Sequence, residues 1–587
     1  MADNIIYFLE NIEENIEDYA VYIALAFVLF LMPWTKIAGA ALGITTQRAK
    51  RARKAAAEDK KQEEQPRQKQ PKFRKSTKSS KNNHPQFSIR TPTRGSGESV
   101  DLSKIPEGKH PWDQDFVFAE IYQEHNLLLR DMLDGMACFG GKGSGKTAGL
   151  LANAAHSALA CGHGGMVLTV EDDDASKWQK WARQHGREED IIVINPENHC
   201  LNFLDYEERH PGKGHGNVEN LVALFMQVVE VHKKKDSGDK DGFWKESMKQ
   251  MLRNAIFLLK FAGEEISISK INKMITLAPR SKEDLSDPQW QKGNLFFDCL
   301  CRADDAHPEG SENYEDWEVI EDYWTREFPD MPDVTRGGVI ANFTAPIAPF
   351  LTGDLRKLFS TKTSVIPEMC LSGKVLVIDL PVNQWREQGK MAQAIFKFLF
   401  QRMVNDRPEP APHEQRQTRP LFLIADEAQF FVTSTDSEYE STARKHKAWT
   451  LYCSQSKPGF IKGLGGGEAG KSEFESLMGN MLTKFFFQNP CSETNKYCSE
   501  LIAKTLQTRV SYSENANTQR GEQQGSSTGA STQEVVDYEL QPREMQLLAI
   551  PKDHPGYCEA VIFQRGQVFP TGKAYCRAWL EIPGWNH

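Results

Sequence analysis

A glycine-rich loop at residues 140–147 carries the clearest chemical signal in the chain. Its sequence, GGKGSGKT, fits the pattern G-x-x-x-x-G-K-[ST], in which backbone N–H groups surround a phosphate chain. In this pattern Lys146 reaches the β- and γ-phosphates, and the Thr147 hydroxyl is a ligand of Mg²⁺. The apolar residues 136–139 predict a buried strand before the loop, and residues 148–159 predict a helix after it. Strand, glycine loop and helix in this order indicate a nucleotide site, with ATP and Mg²⁺ as its ligands, and the alternative is a structural turn that only matches the motif.

The predicted phosphate-binding residues follow directly from the motif. They are Gly140, Gly141, Lys142, Gly143, Ser144, Gly145, Lys146 and Thr147.

A second part of the nucleotide site is predicted at residue 426. Residues 420–425 (PLFLIA) form an apolar run that ends directly before Asp426 and Glu427. We assign Asp426 to the Mg²⁺ shell, where such a carboxylate usually acts through water. We assign Glu427 to polarising the attacking water, because hydrolysis needs a base in line with the γ-phosphate. An apolar strand followed by Asp-Glu also occurs in unrelated proteins, so both assignments depend on the glycine loop earlier in the chain.

Two further side chains are candidates for acting on the γ-phosphate. Gln455 follows a strand predicted at 449–453, and an amide can donate to phosphate while accepting from water. Arg444 lies between the two predicted strands, and the transition state of hydrolysis needs positive charge at the γ-phosphoryl group. Arg444 is interpreted either as an arginine finger for a neighbouring subunit or as an exposed helical arginine. The predicted catalytic residues are Lys146, Asp426, Glu427, Gln455 and Arg444, and the predicted Mg²⁺ ligands are Thr147 and Asp426.

Short apolar runs alternate with helical segments through most of the chain. This alternation predicts an α/β fold with a mostly parallel central sheet. Residues 206–340 carry helical periodicity instead, and we predict an inserted all-α domain there. The strongly acidic part of this insertion, residues 311–328, is either a solvated face or a docking site for a basic partner. Further strands are predicted at 165–170, 191–194, 374–380, 482–487, 559–563 and 574–580.

An uncharged stretch near the N-terminus predicts a membrane anchor. Residues 19–34 span about 24 Å as a helix, a little less than the roughly 30 Å hydrocarbon core. Residues 37–44 extend the stretch to one transmembrane helix at about 19–44 if Lys36 snorkels to the interface. The basic residues that follow from Arg48 place that side in the cytoplasm and the N-terminus outside. A buried core helix is the alternative, whereas a signal peptide would need basic residues before the apolar run.

The segment at residues 47–108 differs in composition from the rest of the chain. It is rich in Lys, Gln, Ser, Asn and Pro and has few apolar side chains, which predicts a disordered linker. Within residues 48–81 Lys and Arg outnumber Asp and Glu, although the whole chain has a net charge of −9. The positive charge of this linker suits anionic lipid headgroups or transient contact with nucleic acid.

These observations predict a division of the chain into five parts. In order they are a membrane anchor (1–46), a linker (47–108), the first part of a nucleotide-binding domain (109–205), the helical insertion (206–340) and the second part of the nucleotide-binding domain (341–587), which includes a polar surface loop at 513–534.

The order of these parts resembles the type IV secretion coupling proteins, the TraG/TraD group of conjugation ATPases within the FtsK/HerA-like motor class. The resemblance covers roughly residues 110–580. It is carried by GGKGSGKT, by NFLD at 202–205, by Phe243-Trp244, by LIADEAQFF at 423–431, by Ala443-Arg444-Lys445 with Gln455-Ser456 beyond it, and by QPREMQLLAIP at 541–551.

The resemblance implies a RecA-like P-loop ATPase that forms a homo-hexameric ring on the inner face of a bacterial inner membrane. It implies ATP bound between subunits, with Arg444 reaching across, and an insertion domain that receives a DNA–relaxase complex for a type IV secretion channel. DNA would be bound without sequence preference. Two alternatives are a coupling ATPase for protein effectors only and a nucleotide-binding membrane adaptor without motor activity. Intact Lys146, Thr147, Asp426 and Glu427 argue against the adaptor.

Overall fold

The structure is a computed structural model, and its description covers most of the chain after residue 108. The predicted transmembrane helix at 19–44 lies outside the described residues, as does the predicted linker apart from residues 86–87. All described residues belong to the second of two units, Asn83–His587. Within the described part of the chain, no helix has the length and apolar character needed to span a membrane. The described residues are 86–87, 109–122, 125–209, 216–232, 241–360, 362–516 and 526–585.

Short apolar runs form most of the strands. The strands are β1 (Gln86–Phe87), β2 (Val117–Tyr122), β3 (His125–Leu128), β4 (Met136–Phe139), β5 (Gly164–Leu168), β6 (Ile191–Ile194), β7 (Val375–Ile378), β8 (Leu421–Ala425), β9 (Ala448–Ser454), β10 (Thr483–Phe487), β11 (Lys504–Ala516), β12 (Ser526–Tyr538), β13 (Tyr557–Gln564) and β14 (Tyr575–Glu581).

The central sheet has, within the described residues, ten strands in the order β1-β14-β13-β10-β4-β9-β8-β5-β7-β6. Only β13 runs antiparallel to its neighbours, β10 and β14, among these described strands. Every residue of β4, β8, β9 and β10 is buried, as expected for parallel strands that are covered on both faces. The prediction of an α/β fold with a mostly parallel sheet is confirmed.

The register of the central strands sets the position of the candidate site. Phe139 at the end of β4 pairs with Ser454 at the end of β9, and Ala425 at the end of β8 pairs with Tyr452. Because these strands are parallel, their carboxyl ends meet at one edge of the sheet. The loops that leave this edge contain the glycine motif, Asp426-Glu427 and Gln455.

Helices cover both faces of the sheet and form most of the segment between β6 and β7. They are α1 (Leu129–Leu133), α2 (Ala152–Ala160), α3 (Asp174–Gln184), α4 (Phe203–Arg209), α5 (Val218–His232), α6 (Asp241–Phe261), α7 (Ile268–Leu277), α8 (Pro288–Gln291), α9 (Leu295–Ala306), α10 (Tyr314–Asp322), α11 (Phe328–Asp330), α12 (Asp333–Leu351), α13 (Gly353–Phe359), α14 (Val382–Asp406), α15 (Asp436–Ala443), α16 (Lys457–Gly463), α17 (Gly467–Asn480) and α18 (Ser492–Ile502).

The helical insertion has a core of large aromatic side chains. Trp324 contacts Phe296 with ring centroids 5.3 Å apart, and Phe225 of α5 contacts Phe343 of α12 at 5.9 Å. Such pairs add to the free energy gained by burying the rings. The helical stretch continues to Phe359, beyond the predicted limit at residue 340, because α12 and α13 follow without a strand between them. The division into domains itself stays a prediction.

A long antiparallel ribbon replaces most of the polar surface loop predicted at 513–534. Strands β11 and β12 pair in register from Lys504 opposite Tyr538 to Ala516 opposite Ser526. The prediction of a loop was therefore wrong for residues 513–516 and 526–534. A ribbon held by backbone hydrogen bonds and open to solvent needs no apolar run, so its polar, low-complexity sequence gave no strand signal.

Candidate nucleotide site

The glycine loop is fixed between the ends of two strands. The Gly140 N–H donates to the Ser454 carbonyl at 3.1 Å, and the Gly141 N–H donates to the Gln488 carbonyl at 2.8 Å. Gly145 has φ 100°, in the left-handed region that favours glycine. A Cβ atom on Gly140 would lie 2.6 Å from Ser144 Oγ. The loop geometry therefore requires glycine at positions 140 and 145.

Lys146 begins a π-helical turn, Lys146–Leu151, that continues into α2. The side chain is buried, and its Nζ lies 3.6 Å from Oε1 of Glu427. Burial alone would lower the pKa of Lys146, but the carboxylates of Glu427 and Asp426 outweigh it and hold the pKa above its ordinary value. Lys146 is therefore a fixed cation at the end of the loop.

Thr147 and Asp426 are in direct contact. The Thr147 hydroxyl donates to Oδ2 of Asp426 at 2.5 Å, and the Glu427 N–H donates to Oδ1 of Asp426 at 3.0 Å. Burial raises the pKa of Asp426, and the hydrogen bond from Thr147 and the charge of Lys146 oppose this rise. The two predicted Mg²⁺ ligands thus lie side by side at the carboxyl edge of the sheet.

Glu427 adopts a conformation that is uncommon for a residue with a side chain, with φ 52° and ψ 51°. This backbone directs its carboxylate toward Lys146 and between two amide groups. Gln455 Nε2 donates to Oε1 of Glu427 at 3.1 Å, and Gln429 Nε2 donates to Oε2 at 2.7 Å. The structure therefore brings together the predicted Lys146, Glu427 and Gln455.

Sequence reasoning missed Gln429 and Ser454. The Ser454 hydroxyl donates to Oε1 of Gln429 at 2.8 Å, which adds a second layer behind Glu427. The available signal was their position, since Gln429 is two residues after Glu427 and Ser454 directly precedes Gln455. Polar residues at the carboxyl ends of neighbouring parallel strands meet at one edge, where sites of such sheets form.

Arg444 does not lie with the other predicted catalytic residues. It precedes β9, whereas the site lies beyond the other end of that strand, a separation of about 23 Å for seven residues. Its Nη1 donates instead to Oδ1 of Asp134 at 2.8 Å, and its side chain is 59% exposed. Within its own chain Arg444 is therefore on the opposite edge of the sheet from Lys146.

The side chains fit a phosphate chain with a divalent cation. The Ser144 hydroxyl is buried in the loop and has no hydrogen-bond partner among the described residues. A Cβ atom on Gly143 would meet nothing within 4 Å, so the outer side of the loop is open. Thr147 and Asp426 supply the oxygen ligands that Mg²⁺ prefers. An unpartnered donor and a buried cation together are the environment that phosphate oxygens need.

Comparison with known proteins gives one family and several similar structures. The family model described as type IV secretory system conjugative DNA transfer matches residues 113–567. The bacterial conjugative coupling protein TrwBdeltaN70, in an unbound form, is similar with a TM-score of 0.52 and 15% identity, over 78% of this chain and 87% of that chain. The plasmid coupling protein TrwB in complex with the GTP analogue GDPNP gives a TM-score of 0.50 at 15% identity, over 78% and 88%.

TrwB in complex with ADP and Mg²⁺ gives a TM-score of 0.50 at 14% identity, again over 78% of this chain and 88% of that chain. No curated protein sequence matches the chain. At these identities the likeness shows a shared fold alone, and it confirms the predicted RecA-like P-loop arrangement of sheet and helices.

Proposed function

Because the chain belongs to the type IV secretory system conjugative DNA transfer family, we propose that it is an ATPase that powers transfer of a DNA–relaxase substrate into a type IV secretion channel. A single helix at about 19–44 would anchor it in a bacterial inner membrane, with the N-terminus periplasmic and the ATPase body cytoplasmic. Six copies would form the working ring. The family and the predicted anchor support this assignment.

The observation that carries the proposal is the hydrogen bond of 2.5 Å from Thr147 to Asp426. It joins the glycine loop to the end of β8 and places Lys146 and Glu427 on either side of the same small space. A structural turn that only matched the motif would not be expected to contact an Asp-Glu pair at the end of a strand that is distant in the chain. This arrangement supports nucleotide hydrolysis rather than simple tethering.

ATP and Mg²⁺ are the ligands that these residues fit. The loop amides, the Ser144 hydroxyl and Lys146 would hold the phosphates, and Thr147 and Asp426 would hold Mg²⁺. When bound, Mg²⁺ neutralises charge on the phosphate oxygens. The solved complex of TrwB with ADP and Mg²⁺ supports this ligand pair.

Separate residues of the chain would have separate roles in hydrolysis. Glu427 accepts the proton of the attacking water, and Gln455 orients that water through its amide. Lys146 offsets charge on the phosphates. Arg444, which lies on the opposite edge of the sheet, would serve the site of the neighbouring subunit.

The proposed partners are DNA bound without sequence preference, relaxase and relaxosome proteins, and components of the secretion channel. Their support is the family, whose description names conjugative DNA transfer. Contacts with DNA phosphates predict binding that weakens steeply as salt is added. A clear preference for one DNA sequence in a binding assay would count against this part of the proposal.

Measured ATP turnover by the full chain in detergent, with and without DNA, tests the function. Hydrolysis that DNA stimulates, and that Lys146→Ala abolishes, supports the proposal. Hydrolysis indifferent to DNA would favour a coupling ATPase for protein effectors only. No hydrolysis under any condition would favour a nucleotide-binding membrane adaptor.

A further inference from the structure

Gln429 stands between the candidate base and strand β9. Its Nε2 donates to Oε2 of Glu427 at 2.7 Å, while its Oε1 accepts from the hydroxyl of Ser454 at 2.8 Å. The Glu427 carboxylate can only accept a hydrogen bond, so the amide nitrogen of Gln429 must face it, and the amide oxygen then accepts from the Ser454 hydroxyl. The Gln429 side chain is therefore held in one orientation from both ends.

Gln429 also connects Glu427 to the phosphate-binding loop through hydrogen bonds. Ser454, which orients Gln429, also accepts the Gly140 N–H through its carbonyl at 3.1 Å. Ser454 is fully buried, so this link is protected from water. A path of three hydrogen bonds thus runs from Glu427 through Gln429 and Ser454 to the first glycine of the loop.

The backbone of Gln429 is fixed by a close approach of helix α16. A Cβ atom on Gly463, the last residue of α16, would lie 2.4 Å from the Gln429 carbonyl oxygen and 3.0 Å from its Cα. Only glycine leaves room for this contact. Both the side chain and the main chain of Gln429 are therefore constrained by neighbouring elements.

The two amides also keep the base separate from the cation of the site. Glu427 Oε1 lies 3.6 Å from Lys146 Nζ, beyond the roughly 2.7–2.9 Å of a charge-assisted hydrogen bond. Coulomb attraction favours closing this gap. Gln429 and Gln455 oppose the closure by holding one carboxylate oxygen each. Without Gln429, only the weaker contact from Gln455 opposes a turn of the carboxylate toward Lys146 and away from a water.

We infer that Gln429 is the positioning residue of the base Glu427 and that Ser454 and Gly463 hold Gln429 in place. This inference rests on the proposed ATPase function. In this role Gln429 acts through the Glu427 carboxylate.

A double-mutant cycle with Gln429→Met and Glu427→Gln tests the inference on the full chain. Methionine keeps the volume of glutamine and removes the amide donor. At saturating ATP and Mg²⁺ we expect Gln429→Met to lower kcat about tenfold or more, part of the roughly 10²- to 10⁴-fold that a positioned base contributes. In the Glu427→Gln background the same change should lower kcat by less than about twofold, because the group it positions is gone.

Equal losses in both backgrounds would overturn the inference, since Gln429 would then act independently of Glu427. An unchanged kcat in Gln429→Met would overturn it as well. Wild-type protein without any hydrolysis would overturn the proposed function together with this inference, so the two failures are distinguishable. Melting temperatures of all four proteins show whether a loss of kcat reflects unfolding instead.

Gly463→Ala tests the contact from α16 separately. The added methyl group must displace the Gln429 backbone, so we expect kcat to fall in the wild-type background and to change little in Gln429→Met. Gly479→Ala is the matched control, because a Cβ atom there would meet nothing within 4 Å. A wild-type kcat in Gly463→Ala would overturn the role of this contact.

Discussion

The Thr147 hydroxyl and the Asp426 carboxylate, 279 positions apart in the chain, share a hydrogen bond of 2.5 Å. Burial raises the pKa of Asp426, and Thr147 and Lys146 are the groups that oppose this rise. The two residues hold each other at the position where both would face a divalent cation. The loop and the end of strand β8 therefore meet at this pair, next to their second contact between Lys146 and Glu427.

Thr147→Ala should impair the use of Mg²⁺ more than the binding of nucleotide. The change removes one proposed oxygen ligand and the hydrogen bond that lowers the pKa of Asp426. We expect the Mg²⁺ concentration for half-maximal hydrolysis to rise about tenfold, within the range found when groups that orient metal ligands are lost. The acidic limb of the pH–rate profile should also move to higher pH. Without the hydrogen bond from Thr147 the pKa of Asp426 is higher, so this carboxyl ionises only at higher pH. Thr147→Ser keeps the hydroxyl and serves as the control; an equal defect in both variants would contradict this role.

Lys146→Ala should abolish hydrolysis and weaken nucleotide binding. Lys146 is a buried cation whose charge balances Glu427 and Asp426, so its loss leaves two carboxylates facing the phosphate site. We expect kcat/KM to fall by about a hundredfold or more, because the negative charge of the phosphates in a desolvated site is no longer balanced by the Lys146 ammonium group. Phosphate release and binding of a fluorescent nucleotide measure the two effects. Lys180→Ala, at an exposed position of α3, is the matched control and should resemble the wild type.

The inner part of the central sheet could be predicted from the sequence because its strands are buried on both faces. Runs such as VLVI at β7 and LFLIA at β8 are apolar throughout, and every residue of these two parallel strands is buried. The position of the candidate site at the strand ends followed from the glycine motif and Asp426-Glu427. Both signals are local in the chain, so no three-dimensional information was needed to find them.

The parts that could not be predicted depend on contacts between distant segments. The role of Gln429 arises from the left-handed backbone at Glu427 and from Ser454 on a neighbouring strand. The pairing of Arg444 with Asp134, 310 positions apart, depends on how β4 and β9 are aligned. The ribbon of β11 and β12 is polar because both its faces can be hydrated, and composition alone does not separate it from a loop.

Mixing two inactive variants tests whether Arg444 serves a neighbouring subunit. Its exposed ion pair with Asp134 is worth less than about 1 kcal/mol, so the side chain can leave it at small cost. We expect Arg444→Ala to lower kcat by at least about a hundredfold, since an arginine finger contributes roughly 10³- to 10⁵-fold. Mixed assemblies of Arg444→Ala and Lys146→Ala should regain part of the activity, because some interfaces combine an intact loop with an intact arginine. No recovery in mixtures whose subunits demonstrably exchange would contradict action between subunits.

Glu440 on α15 makes the stability of the fold sensitive to pH. Its side chain is buried, and burial raises its pKa from 4.5 to about 8. Between these values the folded chain keeps a proton that the unfolded chain has released. The contribution of Glu440 to stability is therefore complete below pH 4.5 and is lost progressively as the pH rises to about 8.

Glu440→Gln should remove this pH dependence, since an amide occupies the same volume without a charge to bury. At pH 8.5 we expect the variant to unfold at a higher temperature than the wild type, with a gain on the order of a few kcal/mol. At pH 5 the two proteins should differ little, because the wild-type carboxyl is then neutral in the folded state. Glu438→Gln, at an exposed position of the same helix, controls for a general charge effect. A stability difference between Glu440→Gln and wild type that is the same at both pH values would show that the carboxyl is not protonated in the fold.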